Sequence, residues 1–210
     1  MNWQANKKLP LKFYQRELHK VAKELLGKFL VRKTGKNILA GRIVELEAYD
    51  GSTDRASHSY NGITKRNQVM FEGGGKLYVY FTYGMHFCAN VVTGGLNEGK
   101  AILIRAVEPV EGIEIMKFNR YGKKEITSEE IQNLCNGPGK VCRAFGINRE
   151  HNGMDLTGEE IFITGSGRLK EELIKTSERI GIKKSVDLPW RYYISDNQFV
   201  SKTSAGKRRI

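Results

Sequence analysis

The apolar positions divide the chain into segments of two periods. In "FYQRELHKVAKELLGKF", Leu18, Val21, Ala22, Leu25 and Leu26 recur at helical spacing, and Gly27 stops the pattern. "FLVRKTGKNILAGRIVELEAY" alternates instead, predicting two strands around a turn at 34–37. In the second strand, alternation puts Ile43, Glu45 and Glu47 on one face and Val44, Leu46 and Ala48 on the other. Residues 50–75 are polar and Gly-rich, predicting a long loop with one short helix. Strands are expected at 76–83 and 87–93 about a turn at Gly84, and a third in "AILIRAVEP" ending at Pro109. "VEGIEIMKFNR" predicts a helix, Thr127 and Glu130 spell a capping box, and "GPGKVCRAFGI" opens another helix. "EEIFITG" and "PWRYYI" complete the strands. This order predicts an α+β fold: one domain over 1–210, mostly antiparallel curved sheet with peripheral helices, and loose basic ends at 1–10 and 201–210.

Charge changes the picture. Lys and Arg number 35 against 23 Asp and Glu, a formal charge of +12, in a composition that is 40% hydrophobic and therefore globular. Such an excess points to a polyanion, nucleic acid first and an anionic membrane surface second. No stretch is long and apolar enough to span a bilayer. Three cysteines without a C-x-x-C pair suggest neither disulfides nor zinc, so a reducing cytoplasm is expected. The four histidines lack H-x-x-x-H spacing, and no metal or cofactor is expected.

Three local features are candidates for chemistry. Glu45 and Glu47 lie about 7 Å apart on one strand face, a spacing found in carboxylate-pair hydrolases but also on ordinary half-exposed strands. "TKRN" and "GPGK" offer phosphate contacts, and "NGPGK" also resembles the hairpin of helix-hairpin-helix DNA proteins. Tyr80 and Tyr83 stand just before Gly84, where Tyr83 projects from a strand end and is open to a base stack or to half-burial on a turn.

Taken in order, "GRIVELEAYDGSTDRASHS", "KRNQVMFEGGGKLYVYFTYGMHFCANVV", "AILIRAVEP", "NGPGKVCRAFGIN" and "RIGI…PWRYYI" resemble the alkyladenine (3-methyladenine) DNA glycosylases of the mammalian type, across most of residues 10–195. The resemblance implies a base-excision-repair enzyme that flips an alkylated or deaminated purine from double-stranded DNA and hydrolyses its N-glycosidic bond, as a monofunctional glycosylase, a monomer, without metal or cofactor. It implies Glu47 as the base that activates a water, Arg105 and a main-chain carbonyl near Ile194 as that water's other contacts, and no such role for Glu45. Tyr49 and His58 are implied as one wall of the base pocket and Tyr80 as the other. His58 would also read the purine edge through its backbone N–H, and Asn90 would crowd out the guanine 2-amino group. Tyr83 is implied as the residue inserted into the duplex, with Met85 beside it in the minor groove, and Thr64, Arg66 and Lys140 as phosphate contacts. His86 stands where mammalian members carry a tyrosine, and the loop from His58 to Arg66 is one residue shorter. A largely helical helix-hairpin-helix glycosylase fits the strand-rich pattern poorly. A plain nucleic-acid-binding module leaves Glu47, Asn90 and Arg105 unexplained, and the H-x-E and P-C-x-x-C signatures of zinc deaminases are missing.

Overall fold

The computed structural model describes residues 3–123, 125–165 and 167–201. Two short helices, α1 (Leu11–Tyr14) and α2 (Leu18–Leu25), lead into the hairpin β1 (Phe29–Thr34) and β2 (Asn37–Asp50). The Glu17 carboxylate caps α2 by accepting the N–H groups of His19 and Lys20, and Gly27 ends it at φ +79°. A loop with one 3₁₀ turn (Gln68–Phe71) precedes β3 (Leu77–Thr82), β4 (His86–Thr93) and β5 (Lys100–Glu111). Helices α3 (Ile113–Tyr121), α4 (Ser128–Gln132) and α5 (Pro138–Phe145) follow, then β6 (Ile161–Thr164), β7 (Ile174–Ser177) and β8 (Arg191–Ile194). The Thr127–Glu130 capping box is formed at α4.

The strands make one open, wholly antiparallel sheet in the order β3-β4-β5-β2-β1-β6, with β8 joining β2 and β7 joining β8. The long β2 is the spine. It pairs with β5 on one side and, in succession, with β1 and β8 on the other. The α+β expectation holds, with helices on one face. Leu77, Val79, Ala89, Val91, Ile102, Ile104, Leu46 and Ala48 point into the core shared with α2, α3 and α5. The alternate residues of β3, β4 and β5 face the other way, where Val69, Met70, Tyr78, Val92 and Ala101 form a smaller cluster beneath the 3₁₀ turn. Sheet alternation thus separates a core face from a site face.

Some expectations need correction. Ile43 shares the core face with Val44, because β2 bulges there: Ile43 faces Val107 and Glu45 faces Ala106, leaving Val44 as the extra residue. Strand β5 does not stop at Pro109 but runs to Glu111; Pro109 sits opposite Gly41 beside a register shift, where the ladder tolerates a residue without an N–H. Strand β7 had no sequence counterpart, since "IKTS" is short and has a single apolar residue. Of the residues expected as a loose N-terminal end, Trp3 and Leu9 are buried and Lys8 bridges to Thr164. The expected loose C-terminal end lies almost wholly outside the described residues.

Candidate active site

A cavity of about 580 Å³ opens on the site face of the sheet. Its floor comes from a second bulge. Leu46 faces Ile104 and Glu45 faces Ala106, so Arg105 is the extra residue on β5 and its side chain falls between the rows of the two glutamates. Arg105 Nε donates to Glu45 Oε1 at 3.0 Å, and Nη1 lies 3.3 Å from Glu47 Oε1. Burial disfavours the guanidinium, but the Glu47 and Glu45 carboxylates outweigh it and hold the Arg105 pKa above its ordinary value.

The two carboxylates, both buried, differ in what remains free. Glu45 Oε1 accepts from Arg105 and from Arg191 Nε (2.6 Å), while Oε2 accepts the N–H and hydroxyl of Ser201. With two lone-pair directions per oxygen, Glu45 is fully used. Glu47 Oε1 accepts the Ile180 N–H at 2.7 Å and meets Arg105, but among the described residues Oε2 accepts only the Tyr49 hydroxyl, at 2.8 Å. Glu47 lines the cavity and Glu45 does not, so one acceptor direction of Glu47 is left for a group in the cavity.

Aromatic side chains form the walls. Tyr49, His58, Tyr78 and Tyr80 line the cavity together with Asn90, whose amide donates to Tyr78 O at 3.0 Å. The rings are not partitioned as expected. His58 sits edge-on to Tyr80, centroids 4.5 Å apart at 73°, so these two belong to the same wall and no base fits between them. His58 Nδ1 is 3.0 Å from Tyr78 Oη, fixing the imidazole against that wall. Tyr49 stacks on none of these rings; the Arg179 guanidinium lies 4.6 Å from its centroid. Burial, then the Glu47 carboxylate, hold the Tyr49 phenol well above its ordinary pKa, so it remains a donor to Glu47. Desolvation and the nearby Arg66 push the His58 pKa down to about 4, which keeps the imidazole neutral at pH 7. Cys88 also lines the cavity, and burial raises its pKa, leaving a thiol and not a reactive thiolate.

The fourth side is the segment 178–190, between β7 and β8. The expected main-chain contact near Ile194 is not at the site: Ile194 pairs with Ile174 on the outer strand. The backbone that reaches Glu47 belongs to Ile180. Its neighbour Arg179 is 5% exposed and clasps Asp54, itself fully buried, with Nη2 donating to Oδ1 at 2.9 Å and Nη1 meeting Oδ2. Nη1 also donates to Ala48 O (2.9 Å) and Nη2 to Ser185 O (3.2 Å). Asp54 in turn accepts the Ala56 N–H in the loop that carries His58. Sequence reading missed this clasp, because its halves are 125 residues apart and neither has a local signature.

The chain matches the family model described as Methylpurine-DNA glycosylase (MPG) over residues 12–198. The chain belongs to the methylpurine-DNA glycosylase family. It is 48% identical over 201 residues to a protein of Alkaliphilus oremlandii, covering 93% of this chain and 99% of that one. It is 49% identical over 195 residues to one of Carboxydothermus hydrogenoformans, covering 92% and 98%, and 49% identical over 184 residues to one of Francisella tularensis, covering 86% and 92%. All three relatives carry the name "Putative 3-methyladenine DNA glycosylase".

In this member of the glycosylase family the remaining expected residues are not all gathered at the cavity: Tyr83 lines it, and Met85, Thr64, Arg66 and Lys140 do not. Tyr83 lines the cavity and is 81% exposed at the β3–β4 tip, and Met85, 69% exposed, is next but one to it. Tyr83 (φ 51°) and Gly84 (φ 66°) are consecutive left-handed residues, a combination suited to Asn-Gly and unusual for tyrosine. Arg66 lies over the Tyr80 ring at 5.3 Å. Thr64 gives its N–H to Asn67 Oδ1, and the buried Asn67 donates to His58 O and Gly62 O, so the last residue of "TKRN" fastens the loop. Lys140 is turned toward its own fold, donating to Asn136 Oδ1 (2.6 Å) and Asn133 Oδ1 (3.3 Å). Among the described residues no cluster of His, Cys, Asp and Glu could hold a metal ion, and no helix is long and apolar enough to cross a membrane.

Proposed function

We propose that this protein is a monofunctional DNA glycosylase that removes alkylated purines, 3-methyladenine and 7-methylguanine among them, by water attack at C1′ of an extruded nucleotide. The observation that carries the reading is the free acceptor direction of Glu47 on the floor of a cavity walled by Tyr49 on one part and His58 with Tyr80 on another. The cavity falls within the volume range of small-ligand sites. A target base inside stacked duplex cannot reach such a floor, so it is flipped out. Glu47 takes the proton of a water as its oxygen bonds to C1′. The C1′–N bond breaks, and its electron pair leaves with the purine. A purine methylated at N3 or N7 is already cationic and departs neutral, so no general acid is needed. The neutral His58 and the polarisable faces of Tyr49 and Tyr80 suit an electron-poor base, a cation–π preference of about 0.5–2 kcal/mol. In this reading Asn90, held by its bond to Tyr78 O, discriminates among purine edges. Neutral lesions such as hypoxanthine or ethenoadenine fit the same walls but leave more slowly. The protein acts as a monomer, and its free thiols suit a reducing cytoplasm.

Duplexes carrying one defined lesion each test the reading. Base release is expected in the order methylated purine, then hypoxanthine or ethenoadenine, then undamaged purine. Absence of release from every methylpurine duplex would refute it.

Tyr83 is read as the wedge that replaces the flipped nucleotide in the stack, with Met85 in the minor groove. Left-handed backbone at a tyrosine costs about 1–3 kcal/mol and persists where function demands it. Tyr83→Asn, which tolerates that conformation, should match or exceed the wild type in thermal stability. It should also bind lesion duplex on the order of tenfold more weakly, because the aromatic stack is gone. Wild-type affinity in the variant would remove the wedge role.

A further inference from the structure

We propose that Arg55, Lys183 and Lys184 form a cationic rim that grips the phosphodiesters flanking the nucleotide in the cavity. This rests on the reading of the cavity as a nucleotide site, and none of the three residues was among the phosphate contacts expected from sequence. All three are exposed and line the cavity, yet they come from separate stretches of chain: Arg55 from the loop after β2, Lys183 and Lys184 from the segment before β8.

Like Lys12, Lys20 and Lys36, and unlike the cations of the surface ion pairs, they are not neutralised by a neighbour; among the described residues they are the unpaired cations that line the cavity. Arg16 pairs with Glu24, Arg42 with Glu108, Lys76 with Asp155 and Lys100 with Glu98. Among the described residues, the side chains of Arg55, Lys183 and Lys184 have no ion-pair or hydrogen-bond partner. The one carboxylate lining the cavity, Glu47, is on the floor and already faces Arg105. The mouth therefore presents an uncompensated triple positive charge.

The rim is also held in place. The Arg55 N–H donates to Ser185 Oγ at 3.1 Å, joining the two stretches. Beneath them the Asp54–Arg179 clasp ties the same two stretches together, and Arg179 Nη2 reaches Ser185 O. Ser185 itself is left-handed at φ 48°, so the chain turns sharply just after Lys184. Four non-glycine residues in the described structure have positive φ, and two of them, Tyr83 and Ser185, lie at or next to this mouth. Strain of that kind gathers where a site is built. The chemistry suits a phosphodiester: the guanidinium offers paired donors to its two free oxygens, and the lysines supply mobile point charges.

The test is equilibrium binding to a duplex with one abasic-site analogue, measured over a salt series. For Arg55→Ala with Lys183→Ala and Lys184→Ala, the slope of log K against log salt should become shallower by about one for each phosphate no longer neutralised. Lys36→Ala, which removes a charge from the distant β1–β2 turn, should leave the slope unchanged. Methylphosphonates at the phosphates flanking the analogue should weaken the wild type toward the triple variant and weaken the triple variant no further. Equal slopes for wild type and triple variant would overturn the proposal. So would an equal weakening of both by methylphosphonate, because the rim would then contribute only a general field. All these arms read binding, so a wild type that bound normally but released no base would count against the glycosylase reading and not against the rim.

Discussion

Glu47→Gln is expected to lower single-turnover base release from a methylpurine duplex by a factor on the order of 10²–10⁴ while leaving duplex affinity intact. That is the usual contribution of a positioned general base. The glutamine keeps the size of the side chain. Its carbonyl oxygen can still accept from Tyr49 or Ile180, and Arg105 retains Glu45 at 3.0 Å, so the floor is not left with a stranded charge. The variant lacks only an oxygen basic enough to take a proton from water. Glu45→Gln is the informative control. Its carboxylate serves two arginines and Ser201, and it does not line the cavity. Removing its charge leaves Arg105 and Arg191 undercompensated, so it should lower thermal stability more than Glu47→Gln does. Base release at wild-type rate by Glu47→Gln would require another base and would refute the mechanism.

That contrast also shows what sequence could and could not supply. Alternation put Glu45 and Glu47 on one face, and both do turn away from the core shared by Leu46 and Ala48. It could not tell the spent carboxylate from the available one, because the difference arises from residues far along the chain: Arg191 and Ser201 for Glu45, Ile180 for Glu47. The same limit applies to the bulges. Val44 and Arg105 are surplus residues only relative to the strand opposite, so nothing in either strand alone reveals the slip that brings Arg105 between the glutamates. Helices, by contrast, were legible, since their signals are local: Gly27 beyond α2, the Thr127–Glu130 box, Gly146 closing α5 at φ +67°. The aromatic walls fall between. Tyr78 and Tyr80, two apart in β3, share a face by strand alternation, but only the loop from β2, fastened by Asn67, decides that His58 joins Tyr80 and not Tyr49.

The largest stability effect is expected at a residue that sequence did not suggest. Arg179→Ala would leave Asp54, fully buried, without its cation, and would remove donors from Ala48 O and Ser185 O. Breaking a buried pair in this way costs about 3–5 kcal/mol. For a chain of this size that corresponds to a fall in Tm of roughly 6–20 °C. Pairing Arg179→Met with Asp54→Asn should restore most of the stability. The charge is then gone from both sides, and the asparagine oxygen can still accept the Ala56 N–H. Activity should not return with it. Arg179 stacks on Tyr49, and the following residue carries the N–H that holds Glu47, so a slack clasp shifts both a pocket wall and the Glu47 carboxylate. A displacement near 1 Å in such a site can cost about a hundredfold in rate. Thermal unfolding and single-turnover release on the same preparations separate the two effects. If the double variant recovers activity together with stability, Arg179 serves only to neutralise Asp54. If it recovers stability alone, the guanidinium sets the geometry in which Glu47 works.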